Sequence, residues 1–223
     1  DTAGPSMNIL IKLTCLVGLV IAPILGGHTD EAEASEAVGG DNQVNTAAPV
    51  EQEGKSVSGV FEIRPENTQL IWVAKKVTGQ HNGNVSASGK VSMQDNIISK
   101  GEIDVDLTTI TVIDVKDEES NAKLVRHLKS PDFFNVEKHP EATLFIDRAY
   151  DNGNNYGFEG ELRLKGISKK VSGTYSVLND KITGAFDFDR SEYDIKYRSA
   201  SFFDDLGDKM IYDEVMVGFE VKI

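Results

Sequence analysis

From Val57 to Ile223 apolar residues return at every second position, interrupted by short turn signals and a single helical stretch. That alternation belongs to strands with one buried and one wet face, and a helix-period pattern would not produce it. Val57, Gly59, Phe61 and Ile63 make the first run, and Leu70, Trp72 and Ala74 the second. Val85, Ala87, Gly89, Val91 and Met93 share a face; Asp95-Asn96 then turns the chain. Ile97, Ser99, Gly101, Ile103, Val105 and Leu107 alternate against Lys100, Glu102, Asp104 and Asp106. Further strands are predicted from Ala142 to Tyr150 and around Tyr156–Leu164, Val171–Val177, Ile182–Phe188 and Val215–Ile223. Asp151-Asn152-Gly153-Asn154, Lys165-Gly166 and Asn179-Asp180 supply the turns between them. Hairpin-connected antiparallel strands need no helical crossover. Roughly eight or nine strands of about nine residues each fit a closed barrel better than a two-sheet sandwich, and closure removes exposed edges.

One stretch departs from period two. Asp117, Glu118 and Glu119 are followed by Lys123, Arg126, His127 and Lys129, the charge order that a helix dipole favours. Leu124, Val125 and Leu128 form a narrow apolar stripe on that helix. Ser130-Pro131-Asp132 reads as a second helical start, with Ser130 as N-cap, carrying Phe133 and Phe134 on a short helical turn. The element needs a concave apolar surface to cover. Leu124, Leu128, Phe133 and Phe134 are therefore lid candidates, with the segment Asp117–Val136 expected to swing; the plainer reading of the two phenylalanines is as anchors of the helix on the barrel.

The interior decides what such a barrel does. Gly59, Ala74, Ala87, Gly89, Gly101, Gly160, Gly173 and Gly184 fall on the same parity as the large apolar residues. Two readings stand: small residues leave a lumen for an apolar ligand, or they relieve the curvature of a closing sheet. On the first reading the wall is expected to include Phe61, Trp72, Ile103, Val105, Phe145, Phe158, Leu162, Tyr175, Phe186, Val217 and Phe219.

The front of the chain is different. Asp1 to Ser6 precede Met7 and read as a non-native or extended start. From Met7 the residues have the form of a secretory signal, with Lys12 ahead of an apolar run from Leu13 to Leu25. The run is short for a membrane span, for which about 20 residues are wanted. Cys15, the single cysteine, lies inside it, so the mature chain carries no thiol or disulfide. Gly27 to Ser56 is rich in Ala, Glu, Gly, Asn and Ser and reads as a tether. The expected division is a leader over 1–27, a flexible linker over 28–56 and a β-barrel domain over 57–223. Export to the periplasm or exterior follows, with no stable membrane insertion once the signal is cut. A formal net charge of −13 argues against a nucleic-acid partner, because phosphate binding needs clustered cations.

Four segments together resemble the YceI-like family of secreted lipid- and polyisoprenoid-binding barrels. They are K-V-T-G-Q-H-N-G at Lys76–Gly83, H-L-K-S-P-D-F-F-N-V-E-K-H-P-E-A-T-L-F at His127–Phe145, G-E-L-R-L-K-G-I-S-K-K-V at Gly160–Val171, and D-R-S-E-Y-D-I-K-Y-R-S-A-S-F-F-D-D-L-G-D at Asp189–Asp208. The resemblance implies a mainly β fold, an eight-stranded antiparallel lipocalin-like barrel with one amphipathic helix and a short helical turn near its mouth. It also implies an isoprenoid or fatty chain in the lumen, export, and a homodimer.

Arg190, just after a strand, has two possible roles: a fork for an anionic lipid head group, or half of a carboxylate pair that fixes its loop. The folded part holds His81, His127 and His139, whose spacings match no metal-ligand motif. No nucleophile elbow, phosphate loop or dinucleotide fingerprint is present, and no cofactor is expected. Three functions are weighed: a non-enzymatic lipid carrier, a lipid-modifying enzyme using His127 or His139 with a nearby Asp, and an interaction module with a solid core.

Overall fold

In the structure, a computed structural model, residues 56–223 are described; the leader, Cys15 and all of the linker but Ser56 lie outside the described residues. Strands β1 (Gly59–Ile63), β2 (Thr68–Lys76), β3 (Gly79–Gln94) and β4 (Ile97–Asp106) come first, then helix α1 (Glu118–Lys129). Strands β5 (Glu141–Asp151), β6 (Tyr156–Leu164), β7 (Ile167–Leu178), β8 (Lys181–Asp189) and β9 (Ile211–Lys222) complete the chain. The sheet runs β1-β3-β2-β9-β8-β7-β6-β5-β4, and pairing of β3 with β4 closes it. Every pairing is antiparallel.

Nine strands fill eight barrel positions, because the first position is broken in two. β1 pairs with Gly89–Met93 and β2 with Gly79–Val85, both on the same edge of β3. Between them the chain makes an excursion through Arg64-Pro65-Glu66-Asn67. Pro65 cannot donate to a ladder. The amide of Asn67 fastens the break, donating to Glu62 O at 2.9 Å and Lys222 O at 3.1 Å.

The hairpin turns follow their residue types. Asp95 and Asn96, Lys165 and Gly166, and Asn179 and Asp180 all have both central φ angles positive. Such turns match the right-handed twist of the strands they join. Helix α1 starts where the charge pattern places it: the Asp117 carboxylate accepts the Ser120 N–H at 2.9 Å. Ser130 differs from expectation. Its hydroxyl donates to His127 O at 2.7 Å, closing α1 instead of opening a second helix. Phe133 and Phe134 sit on a hydrogen-bonded turn, with Phe133 N–H on Ser130 O and Val136 N–H on Lys129 O.

The inward glycines take the second of their two expected roles. None belongs to the wall of the internal cavity, although Ala74 and Ala87 do. A Cβ on Gly89 would stand 2.1 Å from Glu102 O and one on Gly160 2.0 Å from Phe145 O, so these are places where strands crowd together at bends. Others seat a large cross-strand neighbour. Gly173 faces Phe158 and Gly184 faces Phe219 in register. Added Cβ atoms there would meet those rings at 2.6 Å and 2.5 Å.

Candidate functional site

The inward residues of the strands surround one cavity of about 160 Å³ that runs along the barrel and presents no polar surface. Trp72, Ile103, Leu144, Phe158, Phe186 and Phe219 are among its wall. Trp72 is held by its indole N–H, which donates to Thr111 O at 3.2 Å. That carbonyl reaches the ring only because Gly83 has no side chain: a Cβ there would lie 1.7 Å from it.

One end of the barrel is plugged by Tyr175. Its ring is 1% exposed and stacks on Tyr156 at 5.2 Å. Its hydroxyl crosses from β7 to the β3–β4 hairpin, donating to Asn96 O at 3.0 Å and accepting the Ile98 N–H at 2.9 Å. Burial pushes the phenol pKa up to about 12.

The other end is covered by the C-terminus of α1 and the turn after it, where Leu128, Phe133 and Phe134 reach the cavity. Two hydrogen bonds from Asn121 Nδ2, to Val112 O at 2.8 Å and Val115 O at 2.9 Å, tie the helix to the 107–115 segment. His127 packs edge-on against Phe133 (5.0 Å) and Tyr197 (4.5 Å), joining the lid to the β8–β9 connection.

The model of the YceI-like domain matches residues 61–223, all of the closed barrel but the first two residues of β1. The chain belongs to the YceI-like family. It is 30% identical over 83 residues to a UPF0312 protein of Pectobacterium atrosepticum, covering 37% of this chain and 41% of that one. It is 29% identical over 109 residues to a UPF0312 protein of Photorhabdus laumondii, covering 45% of this chain and 54% of that one. The matched stretch thus spans about half the length of these curated relatives or less. Among solved structures, BcnA of Burkholderia cenocepacia has the same fold, with a TM-score of 0.55 and 19% identity over 71% of this chain and 98% of that one.

Within this YceI-like barrel, Trp72, Ile103, Val105, Phe158, Leu162, Phe186, Val217 and Phe219 line the cavity as their parity requires. Three expected wall residues do not. Phe145 faces outward, because Ala142, Leu144 and Ile146 take the buried face of β5, and the Arg163 guanidinium lies over its ring at 4.9 Å. Phe61 lies on the short β1, half-buried and packed against the core, outside the cavity wall. Tyr175 points inward but serves as the plug. Of the lid candidates, Leu124 packs half-buried on the core without reaching the cavity.

Arg190 takes the structural role, and the head-group role is corrected. The residue is 3% exposed. Its Nε donates to Tyr212 O, Nη1 to Ile195 O and Tyr197 O, and Nη2 to Ile211 O, all between 3.0 and 3.1 Å. Nη2 also stands 3.1 Å from Asp213 Oδ1. Each guanidinium nitrogen is engaged by the protein. Asp213 Oδ2 accepts from Ser199 and Ser201, each at 2.8 Å, so one ion pair organises the β8–β9 connection.

The histidines lie away from the cavity wall. His127 Nε2 is 3.4 Å from Asp132 Oδ2 near the lid surface. His81 Nδ1 meets Asp114 Oδ2 at 2.8 Å, while Asp114 Oδ1 accepts the Asn82 N–H at 3.1 Å. Burial raises the Asp114 pKa, but the Asn82 N–H and His81 outweigh it and hold the carboxyl below its usual range. This clip pins the 107–115 segment along β3. Among the described residues, no group of three or more His, Cys, Asp and Glu is placed to hold a metal. No helix among the described residues is long and apolar enough to cross a membrane.

Sequence reasoning missed the wall residues Leu107, Ile110 and Ile195, outside the regular strands, and Ile211 at the start of β9. A signal existed for Leu107, which ends the alternating series Ile103, Val105, Leu107. Ile110 and Val112, both buried, fall on the opposite parity because a short helical turn at Leu107–Thr109 interrupts the strand.

Proposed function

We propose that this YceI-like protein is a non-enzymatic carrier that shields an apolar chain, isoprenoid or fatty, inside its barrel. The observation that carries the reading is the cavity: inside the barrel beneath Leu128, Phe133 and Phe134, walled by aliphatic and aromatic side chains, and without polar surface. Lipid is the ligand class such a wall recognises. Among its lining residues Arg190 alone is ionisable, and its donors are occupied. That supports binding over catalysis, since acid–base or nucleophilic chemistry needs a titratable group within reach of the substrate.

The size of the cavity sets a condition. At about 160 Å³ it resembles the dry, roughly 150 Å³ cavity that admits benzene. A chain of several isoprene units needs wall and lid side chains to move, and Leu128, Phe133 and Phe134 are the group that can yield without breaking a strand ladder. We further infer export, from the apolar run Leu13–Leu25, and a homodimer, from the family resemblance. Fractionation and sedimentation measure these two directly.

The deciding experiment is organic extraction and native mass spectrometry of freshly purified full-length protein. One bound lipid with a long hydrocarbon chain is expected. Protein of bare polypeptide mass that also fails to take up a long-chain isoprenoid added in excess would overturn the reading.

A further inference from the structure

Of the ten phenylalanines, only Phe202 and Phe203 are exposed, by 46% and 50%. They are neighbours on the β8–β9 connection. Tyr197 of that connection lies 5.4 Å from Phe133, ring centre to ring centre, so the exposed pair belongs to the end of the barrel that the lid covers.

The turn that carries the two rings is held from within. Ser199 is 0% exposed, and its carbonyl accepts the Phe202 N–H at 3.2 Å and the Phe203 N–H at 3.1 Å. Its hydroxyl donates to Asp213 Oδ2 at 2.8 Å and accepts the Ser201 N–H at 3.1 Å. Asp213 is the partner of the buried Arg190. Arg198 and Asp205, on either side of the pair, have φ angles of +51° and +56°. Residues with a side chain keep that conformation only where their surroundings fix it. The ion pair at the base of the connection thus presents two phenyl rings to solvent in a fixed place.

Area and charge say what can cover them. A phenylalanine ring offers roughly 200 Å², so the half-exposed pair offers about 200 Å² in all. A stable protein interface takes about 800 Å² from each partner. A bilayer needs no matching surface, and affinity for it scales with the apolar area that dips in. Lys196 and Arg198 precede the rings, and Asp204, Asp205 and Asp208 follow them, all exposed. The Lys196 ammonium lies 5.1 Å from the centre of the Phe202 ring. Cations suit lipid phosphates and carboxylates suit a lipid ammonium, and a zwitterionic surface offers both. A formal net charge of −13 disfavours an anionic one.

We propose that Phe202 and Phe203 form a membrane-docking tip. The rings dip reversibly into the interface of a zwitterionic bilayer and bring the lid to the surface where the barrel collects or returns its apolar chain. With so little area the contact is brief, since even one myristoyl chain binds membranes only marginally. This rests on the lipid-carrier reading above and adds to it the partner at which the lid works.

Full-length Phe203→Trp is mixed with phosphatidylcholine vesicles brominated along their acyl chains, with the wild type supplying the background from Trp72, the single native tryptophan. The emission added at position 203 is expected to shift to the blue and to be quenched. Replacing half of the phosphatidylcholine with phosphatidylglycerol is expected to weaken the quenching. In a second arm, Trp72, which lines the lumen, follows uptake of geranylgeraniol from unbrominated vesicles. The Phe202→Ser/Phe203→Ser double variant should load about tenfold more slowly, while its equilibrium affinity and melting temperature stay at wild-type values. An unquenched tryptophan at 203 overturns the docking tip, as does loading at the wild-type rate in the double variant or stronger quenching on the anionic vesicles. A dimer that sedimentation shows falling to monomer in the double variant makes the tip a contact between copies and overturns the proposal as well. Failure of the wild type to bind geranylgeraniol from vesicles or from ethanol overturns the carrier reading instead, and leaves the quenching result standing by itself.

Discussion

The ring of Phe158 occupies the space that a side chain on Gly173 would fill: a Cβ there would stand 2.6 Å from Phe158 Cε1 and 2.5 Å from Ala185 O. The pair is in register across β6 and β7. By settling over a glycine, a large ring covers the wall without projecting across the barrel. The glycines thus keep the interior open indirectly, without lining it.

Gly173→Ala is expected to destabilise the protein by about 1–3 kcal/mol, the cost of overpacking a tight site. The backbone oxygen cannot swing aside, and Phe158 must tip toward the lumen. Urea denaturation should show a lower midpoint at unchanged slope. Titration with a long-chain isoprenoid should show weakened binding in the fraction that remains folded.

Tyr175→Phe removes the hydroxyl that bridges Asn96 O and Ile98 N–H. Leaving those groups unpaired is expected to cost about 1–3 kcal/mol. The wild type carries an alkaline signature as well. A phenol raised from 10.0 in the unfolded chain to about 12 in the fold holds its proton longer when folded. Its stabilising contribution is full below pH 10.0 and is lost as pH climbs toward about 12. Unfolding free energies measured across that range should fall less steeply in Tyr175→Phe than in the wild type.

Arg190→Ala should cost about 3–5 kcal/mol, because it strands Asp213 and several loop carbonyls in the interior. Arg190→Lys is not a rescue, since an ammonium cannot reproduce the planar fork. Binding of charged and uncharged lipids of equal chain length is expected to drop together in any folded fraction. A selective loss for the charged lipid would restore the head-group role.

Phe133 and Phe134 should separate in their effects. Phe133 is buried and clamped between the lid and the β8–β9 connection by His127 and Tyr197, so Phe133→Ala is expected to cost about 3 kcal/mol or more. Phe134 is half-buried and reaches the cavity. Phe134→Ala is expected to accelerate lipid release in stopped-flow displacement, with a smaller change in melting temperature.

What the sequence made legible was local. Asp117, the acidic first turn and the basic last turn specify α1, and pairs such as Asn179-Asp180 specify hairpins, because neighbours along the chain settle those choices. Parity went astray at Phe145, where Leu144, Phe145 and Ile146 are all apolar and alternation does not say which face is inside. Arg190 kept two roles open in the sequence because Ile211, Tyr212 and Asp213, three of its partners, lie more than twenty positions downstream. The break between β1 and β2 was equally hidden. Phe61 and Trp72 each fall on the apolar side of their own run, yet only the register against β3 shows that β1 and β2 are separate pieces of one barrel position.

A tunnel with no polar atom on its surface offers water two to four fewer partners than it needs, so an unliganded barrel stays dry inside. A chain that slides in then has little solvent to displace, and its affinity must come from dispersion contacts with the wall. Calorimetry near room temperature should record heat released on binding, the non-classical signature of a preformed and poorly hydrated pocket.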